Sequence, residues 1–183
     1  GMAFAPDVDR LSLVDERGVA IGEECTLALA ADHVLSVHPG PVVTNLSTSA
    51  RLDAVASAHG QKVLRTPVGE ANVVEGILEA RARIGGEGNG GVILPALHLG
   101  RDAPVGLALI LTGLATRRLA LSQWAGELPA LVMLKEKVEL SAEPRWEAAE
   151  ASVGRLLENP EIDRRDGLRL ARGTEWVHLR KSG

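Results

Sequence analysis

Residues 82–95, ARIGGEGNGGVILP, place five glycines around one acid and one amide, Glu87 and Asn89. Glycine loses more conformational freedom on folding than any other residue, so this run requires a structural or functional reason. Residues 70–86 before it have the apolar spacing of a helix closed by glycine, and residues 91–97 after it are typical of a buried strand. We therefore predict a loop that connects a helix to a strand of a sheet.

The segments on the N-terminal side of this loop alternate between strand and helix patterns. The strand patterns are PVVTNL (41–46) and QKVLRT (61–66), and the helix patterns cover residues 23–37 and 49–60. An apolar helix pattern follows the loop at residues 104–119. This alternation predicts an α/β fold with a mixed, mostly parallel sheet sandwiched by helices.

Two further segments flank this α/β region. Residues 10–22, RLSLVDERGVAIG, alternate around a Glu16-Arg17-Gly18 turn and predict a hairpin. From about Leu128, residues 131–140 alternate as a strand, residues 144–160 have helical spacing with an apolar stripe that includes Leu156, and residues 166–183 suggest two strands. This second set predicts part of a small α+β domain.

Composition excludes several classes of protein. Apolar residues make up 45% of the 183 residues, aromatic residues 2%, and the net charge is −4 without charge blocks. These values are typical of a globular domain and argue against nucleic-acid binding. The longest apolar run, VGLALILTGLA, is too short to cross a bilayer, so we expect no membrane partner. The single cysteine, Cys25, fits a reducing compartment, and we expect a cytoplasmic protein.

The glycine-rich stretch formally matches a dinucleotide fingerprint, Gly-x-Gly-x-x-Gly, at residues 86–91. That fingerprint needs a strand before the glycines and a helix after them, which is the reverse of the order predicted here. A loop that projects a carboxylate and an amide suits sugar hydroxyls better than an anion. The alternative hypothesis is a flexible turn without a ligand.

Two other acidic positions are candidates for function. Asp7 and Asp9 stand on alternate residues, so their carboxylates can converge on a hard cation such as Mg²⁺. Taken alone, this spacing is more often a solvated turn. Glu70 begins a predicted helix, where the helix dipole alone favours an acid. Asp102 could likewise serve either function or capping of the apolar helix.

Four stretches in order resemble the α-D-phosphohexomutases, a family that includes phosphomannomutase/phosphoglucomutase and phosphoglucosamine mutase. IGGEGNGGVI followed by HLGRD is similar to their sugar-binding loop, and APDVDRLSLVDERG to their metal loop. NLSTSARLDAVASAHGQKVLRTPVGEANV is similar to their third domain, and the final RKSG to the start of their phosphate-binding loop. The resemblance covers nearly the whole chain.

The resemblance implies a domain layout and a reaction. Residues 1–22 correspond to the end of the second domain, 23–128 to the third, and 129–183 to the first part of the fourth. The family moves phosphate between C1 and C6 of a hexose phosphate through an enzyme phosphoserine and a hexose 1,6-bisphosphate. The phosphoserine loop belongs to the first domain, and no similar segment occurs here. We therefore expect this polypeptide to be inactive alone.

The resemblance also assigns roles to individual residues. Mg²⁺ is the implied cofactor, held by Asp7 and Asp9, and Arg10 is the implied catalytic residue beside the transferred phosphate. The implied substrate-binding residues are Gly69, Glu70, Glu87, Asn89, Arg180, Ser182 and Gly183. Ala5 stands where the family has its first aspartate, which should weaken metal binding, and the Thr-Glu-Pro expected after Gly183 is missing.

Three hypotheses remain open at this point. The chain is a fragment of a phosphohexomutase, a non-catalytic module that binds sugar phosphates, or a structural α/β domain without a ligand. In the first case, surfaces meant for absent domains would be exposed, and a homodimer could form through them. The sequence does not identify which hexose phosphate is bound.

Overall fold

The computed structural model describes residues 1–140 and 143–181. The chain divides into two compact units, Gly1–Leu131 and Val132–Gly183, and each is described by itself. In chain order, the first unit contains β1 (Met2–Phe4), β2 (Leu11–Leu13), α1 (Glu23–Val37), β3 (Val42–Asn45), α2 (Arg51–Ala58), β4 (Val63–Thr66), α3 (Glu70–Ala80), β5 (Ile84–Glu87), β6 (Gly91–Ile93), α4 (Ala103–Arg117) and α5 (Leu121–Gly126).

The main sheet of the first unit has the strand order β4-β3-β5-β6. Strand β3 pairs in parallel with both β4 and β5, whereas β6 runs antiparallel to β5. A separate two-stranded antiparallel ribbon is formed by β1 and β2.

Helices cover both faces of the main sheet. Successive strand residues point to opposite faces, so Val42 and Val43 enter different cores. Val42 packs in the cluster that α1, α2 and α4 build, and Val43 packs in the cluster built by α3. The predicted α/β fold, with a mixed, mostly parallel sheet sandwiched by helices, is therefore confirmed.

Helix α1 is apolar on nearly all sides because it lies inside the unit. Ten of its residues are buried, from Glu24 to Leu35. A helix with such a pattern must be covered all round, and α1 packs against α2, α4 and the sheet. Among the described residues, no helix is both long and apolar enough to span a membrane.

The predicted helix over residues 70–86 is wrong in its last third. Helix α3 ends at Ala80, because Arg81 adopts a left-handed conformation with φ of 50°. The first glycines of the run instead lie in β5. A Cβ on Gly85 would lie 2.6 Å from Ile77 Cδ1 and 2.8 Å from the Val43 carbonyl oxygen, so glycine permits close packing of α3 on the sheet. The glycine run is thus a strand–turn–strand unit, which also lacks the helix that dinucleotide binding requires.

The predicted hairpin over residues 10–22 is present in a shorter form, over residues 13–21. Asp15 accepts hydrogen bonds from the backbone of Arg17 and Val19, and an isolated bridge joins Val14 to Ala20. The ladder of β2 is made with β1 instead. Ile21 N still donates to the Leu13 carbonyl oxygen at 3.1 Å, and the pairing goes no further because α1 begins at Glu23.

The second unit contains α6 (Trp146–Gly154) and the antiparallel sheet β7 (Glu161–Asp163), β8 (Leu168–Arg172) and β9 (Glu175–Leu179). Its core is formed by Leu157, Leu168 and Leu170. The two predicted strands are present, and β7 adds a third.

Two predictions for the second unit are wrong. Residues 131–140 form no strand, and their alternating apolar side chains are largely exposed. Alternation predicts a strand only where a neighbouring strand can take the backbone hydrogen bonds, and residues 131–140 pair with none. Leu156, predicted on the apolar stripe of the helix, lies beyond the end of α6 and is exposed.

Candidate functional site

The candidate site lies where the order of the main sheet reverses. From β3 the chain crosses to β4 on one side, and it returns to β5 on the other side. The carboxyl ends of parallel strands that diverge in this way form a crevice that commonly binds ligands. Asn45 is the last residue of β3, and Glu87 is the last residue of β5.

The Glu87 carboxylate is buried, and both of its oxygens accept hydrogen bonds. Its side chain does not project from a loop, as the sequence suggested, because the residue is only 4% exposed. Oε1 accepts hydrogen bonds from Asn45 Nδ2 at 2.7 Å and Gly69 N at 3.4 Å. Oε2 accepts from Arg101 Nη1 at 2.8 Å and Asn89 Nδ2 at 3.4 Å. Burial of the charge is tolerated because it is paired and hydrogen-bonded.

The glycine turn, residues 87–91, is held in place by residues that are distant from it in sequence. Gly90 has φ of 90°, and a Cβ there would lie 2.5 Å from the Leu11 carbonyl oxygen. Leu11 N donates to Gly90 O at 3.0 Å, and Gly88 N donates to Thr48 Oγ1 at 3.0 Å. The glycine at position 90 is therefore explained by contact with β2, and the hypothesis of a flexible turn is not supported.

The loop after β3 forms the floor beneath the turn. Thr48 Oγ1 lies 3.1 Å from Asn45 Oδ1, and Arg65 Nη1 donates to the carbonyl oxygens of Asn45 and Thr48 at 3.0 and 2.9 Å. Asn45 was not predicted as a site residue. The signal available for it was the polar run that follows an apolar strand at the carboxyl end of a parallel sheet.

Arg101 joins three carboxylates that are distant in sequence. Its Nη1 lies 2.8 Å from Glu87 Oε2, its Nη2 lies 2.5 Å from Asp9 Oδ2, and its Nε lies 3.3 Å from Glu70 Oε2. Its backbone N also donates to Glu70 Oε1 at 2.7 Å. With 19% of the side chain exposed, Arg101 is the centre of the site, and it too was missed. The signal for it was a lone arginine at the start of the apolar helix.

The aspartate loop, residues 5–10, carries Asp7 and Asp9, and Asp9 reaches Arg101. Val8 between them has φ of 58°, a strained conformation for a β-branched residue, and its carbonyl accepts from Ala103 N at 3.1 Å. A side-chain hydrogen bond with Asp9 is the chief cause that lowers the pKa of Asp7.

Asp7 and Asp9 offer two carboxylates to a cation, but both oxygens of Asp9 already contact guanidinium groups, Oδ1 that of Arg10 and Oδ2 that of Arg101. Mg²⁺ in proteins commonly takes one or two carboxylates and completes its shell with waters and substrate phosphate. Within residues 1–140 and 143–181, no group of three or more acidic, histidine or cysteine side chains is arranged for a metal. Arg10 is exposed beside the loop, with its Nε 3.2 Å from Asp9 Oδ1.

The remaining candidates have structural roles or belong to the second unit. Asp102 caps α4 by accepting from Val105 N at 2.8 Å. Although burial raises the pKa of Asp102, the hydrogen bonds from Val105 and His98 lower it overall. Arg180 belongs to the second unit, where it is exposed and donates to the Lys181 carbonyl at 3.1 Å. Ser182 and Gly183 lie outside the described residues.

The layers and the crevice are typical of α/β domains that bind ligands at the carboxyl ends of their strands. Comparison with known proteins identifies the family. Residues 23–132 match the family model "Phosphoglucomutase/phosphomannomutase, alpha/beta/alpha domain III". The chain belongs to the phosphoglucomutase/phosphomannomutase family.

Curated relatives match the chain from end to end. The chain is 38% identical to a phosphoglucomutase/phosphomannomutase of Thermococcus kodakarensis, in a match that covers 100% of this chain and 40% of that protein. It is 34% identical to a "Probable phosphoglucosamine mutase" of Methanopyrus kandleri, in a match that covers 100% of this chain and 41% of that protein. The chain therefore spans about 40% of the length of these relatives.

Solved structures share the fold. A crystal structure from Thermus thermophilus, named as a phosphomannomutase, superposes with a TM-score of 0.73 at 26% identity over 98% of this chain and 39% of that one. The N-acetylphosphoglucosamine mutase of Aspergillus fumigatus, solved with GlcNAc-6P and magnesium, has a TM-score of 0.64 at 15% identity over 95% of this chain and 46% of its own. A variant of the Aspergillus enzyme was solved with glucose 1,6-bisphosphate.

Proposed function

We propose that this chain is the part of a phosphohexomutase that holds the sugar ring during phosphate transfer between C1 and C6 of a hexose phosphate. The observation that carries this proposal is the position of Glu87 at the switch point of the sheet, within reach of Gly69 and Asn89. Structural relatives solved with GlcNAc-6P and with glucose 1,6-bisphosphate support the class of ligand.

The bonds of Glu87 leave a place for sugar hydroxyls. Asn45 and Arg101 hold one carboxylate oxygen each at 2.7 and 2.8 Å, whereas the contacts from Gly69 and Asn89 are both 3.4 Å. A carboxylate offers about four acceptor positions, so weakly occupied ones can be exchanged for hydroxyl donors. A hydroxyl that displaced Asn89 Nδ2 would in turn free that amide to donate to a sugar oxygen. Glu70, partly exposed beside Gly69, would complete the sugar contacts.

Phosphate chemistry in this proposal needs groups on both sides of the sugar. Arg10 would contact the transferred phosphate, and Arg180, Ser182 and Gly183 would hold the other phosphate with a guanidinium, a hydroxyl and a backbone N–H. The reaction passes through an enzyme phosphoserine and a hexose 1,6-bisphosphate. The 183 residues contain no segment similar to a phosphoserine loop, so we propose that this chain alone does not turn over substrate.

Asp7 and Asp9 would hold Mg²⁺. The ion would supply positive charge at the phosphoryl group, which is where charge neutralisation favours transfer. Ala5 gives the aspartate loop two carboxylates where the family pattern has three, so we expect weak affinity for the metal in the absence of phosphate.

The proposed domain layout is residues 1–22, 23–128 and 129–183. The start of the family match at residue 23 supports the first boundary, and the end of the match at residue 132 and the division into two units after Leu131 support a last boundary in this region. We also propose a cytoplasmic location, supported by the single cysteine. Exposed apolar residues support a weak homodimer, namely Val132, Leu134, Val138 and Leu140.

A second candidate is a non-catalytic module that binds sugar phosphates. Ala5 favours it, because loss of a metal ligand impairs transfer without affecting the sugar site. In a coupled assay, the two candidates differ only when the remaining domains are supplied: a mutase part restores turnover and a binding module does not.

Titration of the ¹⁵N-labelled chain with glucose 1,6-bisphosphate tests the shared requirement, sugar binding at the glycine turn. We expect shifts at Gly69 and at the Asn89 side-chain amide that Glu87→Gln abolishes. The control Glu127→Gln changes an exposed acid paired with Arg117 and should titrate as the wild type does. Equal responses from both variants, or no response in the wild type, would contradict the proposal.

A further inference from the structure

Arg101 occupies a carboxylate oxygen that the proposed function assigns to a cation. Nη2 lies 2.5 Å from Asp9 Oδ2, and Nη1 of the same guanidinium lies 2.8 Å from Glu87 Oε2. Asp9 and Glu87 belong to separate loops, so one side chain bridges the aspartate loop to the glycine turn. Asp9 is well covered, with 15% of its side chain exposed, which strengthens its attraction to either cation.

Arg101 cannot shift freely to accommodate a second cation. Its backbone N donates to Glu70 Oε1, its Nε faces Glu70 Oε2, and its Cδ packs so closely on Gly91 that an added Cβ there would lie 2.4 Å away. Asp102, the next residue, is fixed as the cap of α4. The backbone and the Cδ end of Arg101 are therefore held by their surroundings, whereas Nη2 is held at Asp9 by charge.

From this geometry we propose that Arg101 is a positioning residue that competes with the divalent cation for Asp9. Without a cation, Arg101 pairs with both Asp9 and Glu87 and holds the aspartate loop against the glycine turn. A cation on Asp9 displaces Nη2, which then becomes available to an anionic group of the ligand while Nη1 remains on Glu87. This inference rests on the proposed function for the identity of the cation site and of the ligand.

The inference predicts opposite effects on two ligands. Arg101→Gln removes the guanidinium from Asp9 Oδ2, although Arg10 Nε stays 3.2 Å from Asp9 Oδ1, and it leaves three carboxylates without their shared arginine, so cation binding should strengthen. The same change removes the guanidinium that, in this inference, turns to an anionic group of the ligand, so affinity for glucose 1,6-bisphosphate should fall. A residue with only a structural role would weaken both when it is replaced.

Mn²⁺ is a suitable probe because it shares the preference of Mg²⁺ for carboxylate and water ligands and broadens nearby NMR signals. We expect the Mn²⁺ concentration that half-broadens the Val8 and Arg10 amide signals to fall about five-fold or more in Arg101→Gln, within the usual range of coupling between sites. The matched control is Arg17→Gln, because Arg17 pairs with Asp15 outside the site, and it should leave that concentration unchanged. An equal or higher concentration in Arg101→Gln, or no broadening in either protein, would overturn the inference.

A measurement on the wild-type chain covers the case in which Arg101→Gln does not fold. Addition of Mg²⁺ should shift the Nε–Hε signal of Arg101, while the Nε–Hε signal of Arg17 stays in place. No shift at Arg101 would overturn the inference.

Glucose 1,6-bisphosphate, titrated into the same samples, separates the two proposals. If cation competition is observed and the bisphosphate does not bind, the proposed function fails and the role of Arg101 stands. If the bisphosphate binds and cation affinity is unchanged in Arg101→Gln, the role of Arg101 fails and the proposed function stands.

Discussion

Asn45 Nδ2 donates a 2.7 Å hydrogen bond to Glu87 Oε1, although the two residues are separated by 42 positions in sequence. The bond joins the carboxyl ends of β3 and β5 and fixes one oxygen of a buried carboxylate. The orientation of the Glu87 side chain is therefore fixed by the neighbouring strand as well as by the turn.

Asn45→Ala should therefore cost more stability than a typical loss of a surface amide. Removal of a donor to a buried charged group costs about 2 kcal/mol. The matched control is Asn72→Ala, whose amide donates to the neutral Val68 carbonyl at 2.9 Å and whose loss should cost about 1 kcal/mol. Urea unfolding measures both values, and equal losses would show that Asn45 does not support the Glu87 charge.

Gly90→Ala should destabilise the first unit strongly. The residue has φ of 90°, and a Cβ would lie 2.5 Å from the Leu11 carbonyl oxygen. An alanine at a positive-φ position with such a clash costs more than about 1 kcal/mol. Gly126→Ala is the control, because that glycine ends a helix and has nothing within 4 Å of the added Cβ. Thermal unfolding should separate the two variants, and similar melting temperatures would contradict the account of the turn.

The Asp15 turn should contribute to stability only above acidic pH. The backbone N–H of Val19 is the main cause that lowers the pKa of Asp15, with Arg17 adding to it. A carboxyl group with a lowered pKa in the folded state stabilises the fold above its unfolded pKa, near 3.8, and loses that contribution as the pH falls through the folded value. Asp15→Asn should flatten this acid loss. The free energy of unfolding should be measured for both proteins from pH 6 to pH 3, roughly the span in which carboxyl groups titrate. An equal loss of stability in the wild type and the variant over this span would contradict the prediction.

Cys25 should be unreactive in the folded chain. Burial raises the pKa of its thiol, and Sγ donates to the Ile21 carbonyl at 3.0 Å. Because the thiolate is the reactive species, a disulfide reagent at about pH 8 should modify the native chain slowly and the urea-unfolded chain rapidly. Comparable rates in the two states would mean that the N-terminal end of α1 opens readily.

The sequence predicted the layers of the first unit well because its helices and strands have clear periodicities. It failed at β5, where a strand written Ile-Gly-Gly-Glu has neither alternation nor β-branched enrichment. Tertiary packing requires the glycine at position 85, since α3 lies directly against it. The end of α3 was misplaced because Arg81 takes a left-handed conformation that sequence rarely signals.

The candidate site was predicted only in part, for a related reason. Short motifs pointed to Asp9, Glu70 and Glu87 separately, but nothing local to them indicates that a single guanidinium joins all three. Arg101 and Asn45 act through contacts with distant segments. Arg101 is 31 positions from Glu70, and Asn45 is 42 positions from Glu87. Such partners follow from topology, which places the ends of β3 and β5 side by side.

The most direct test of sugar binding is a set of intermolecular NOEs between glucose 1,6-bisphosphate and the ¹⁵N-labelled chain. Our account predicts NOEs from the sugar ring protons to the Gly69 backbone amide and to the Asn89 side-chain amide, the two groups with long contacts to Glu87. At saturating ligand, NOEs that reach neither group would contradict the account, as would a chain that does not bind the bisphosphate.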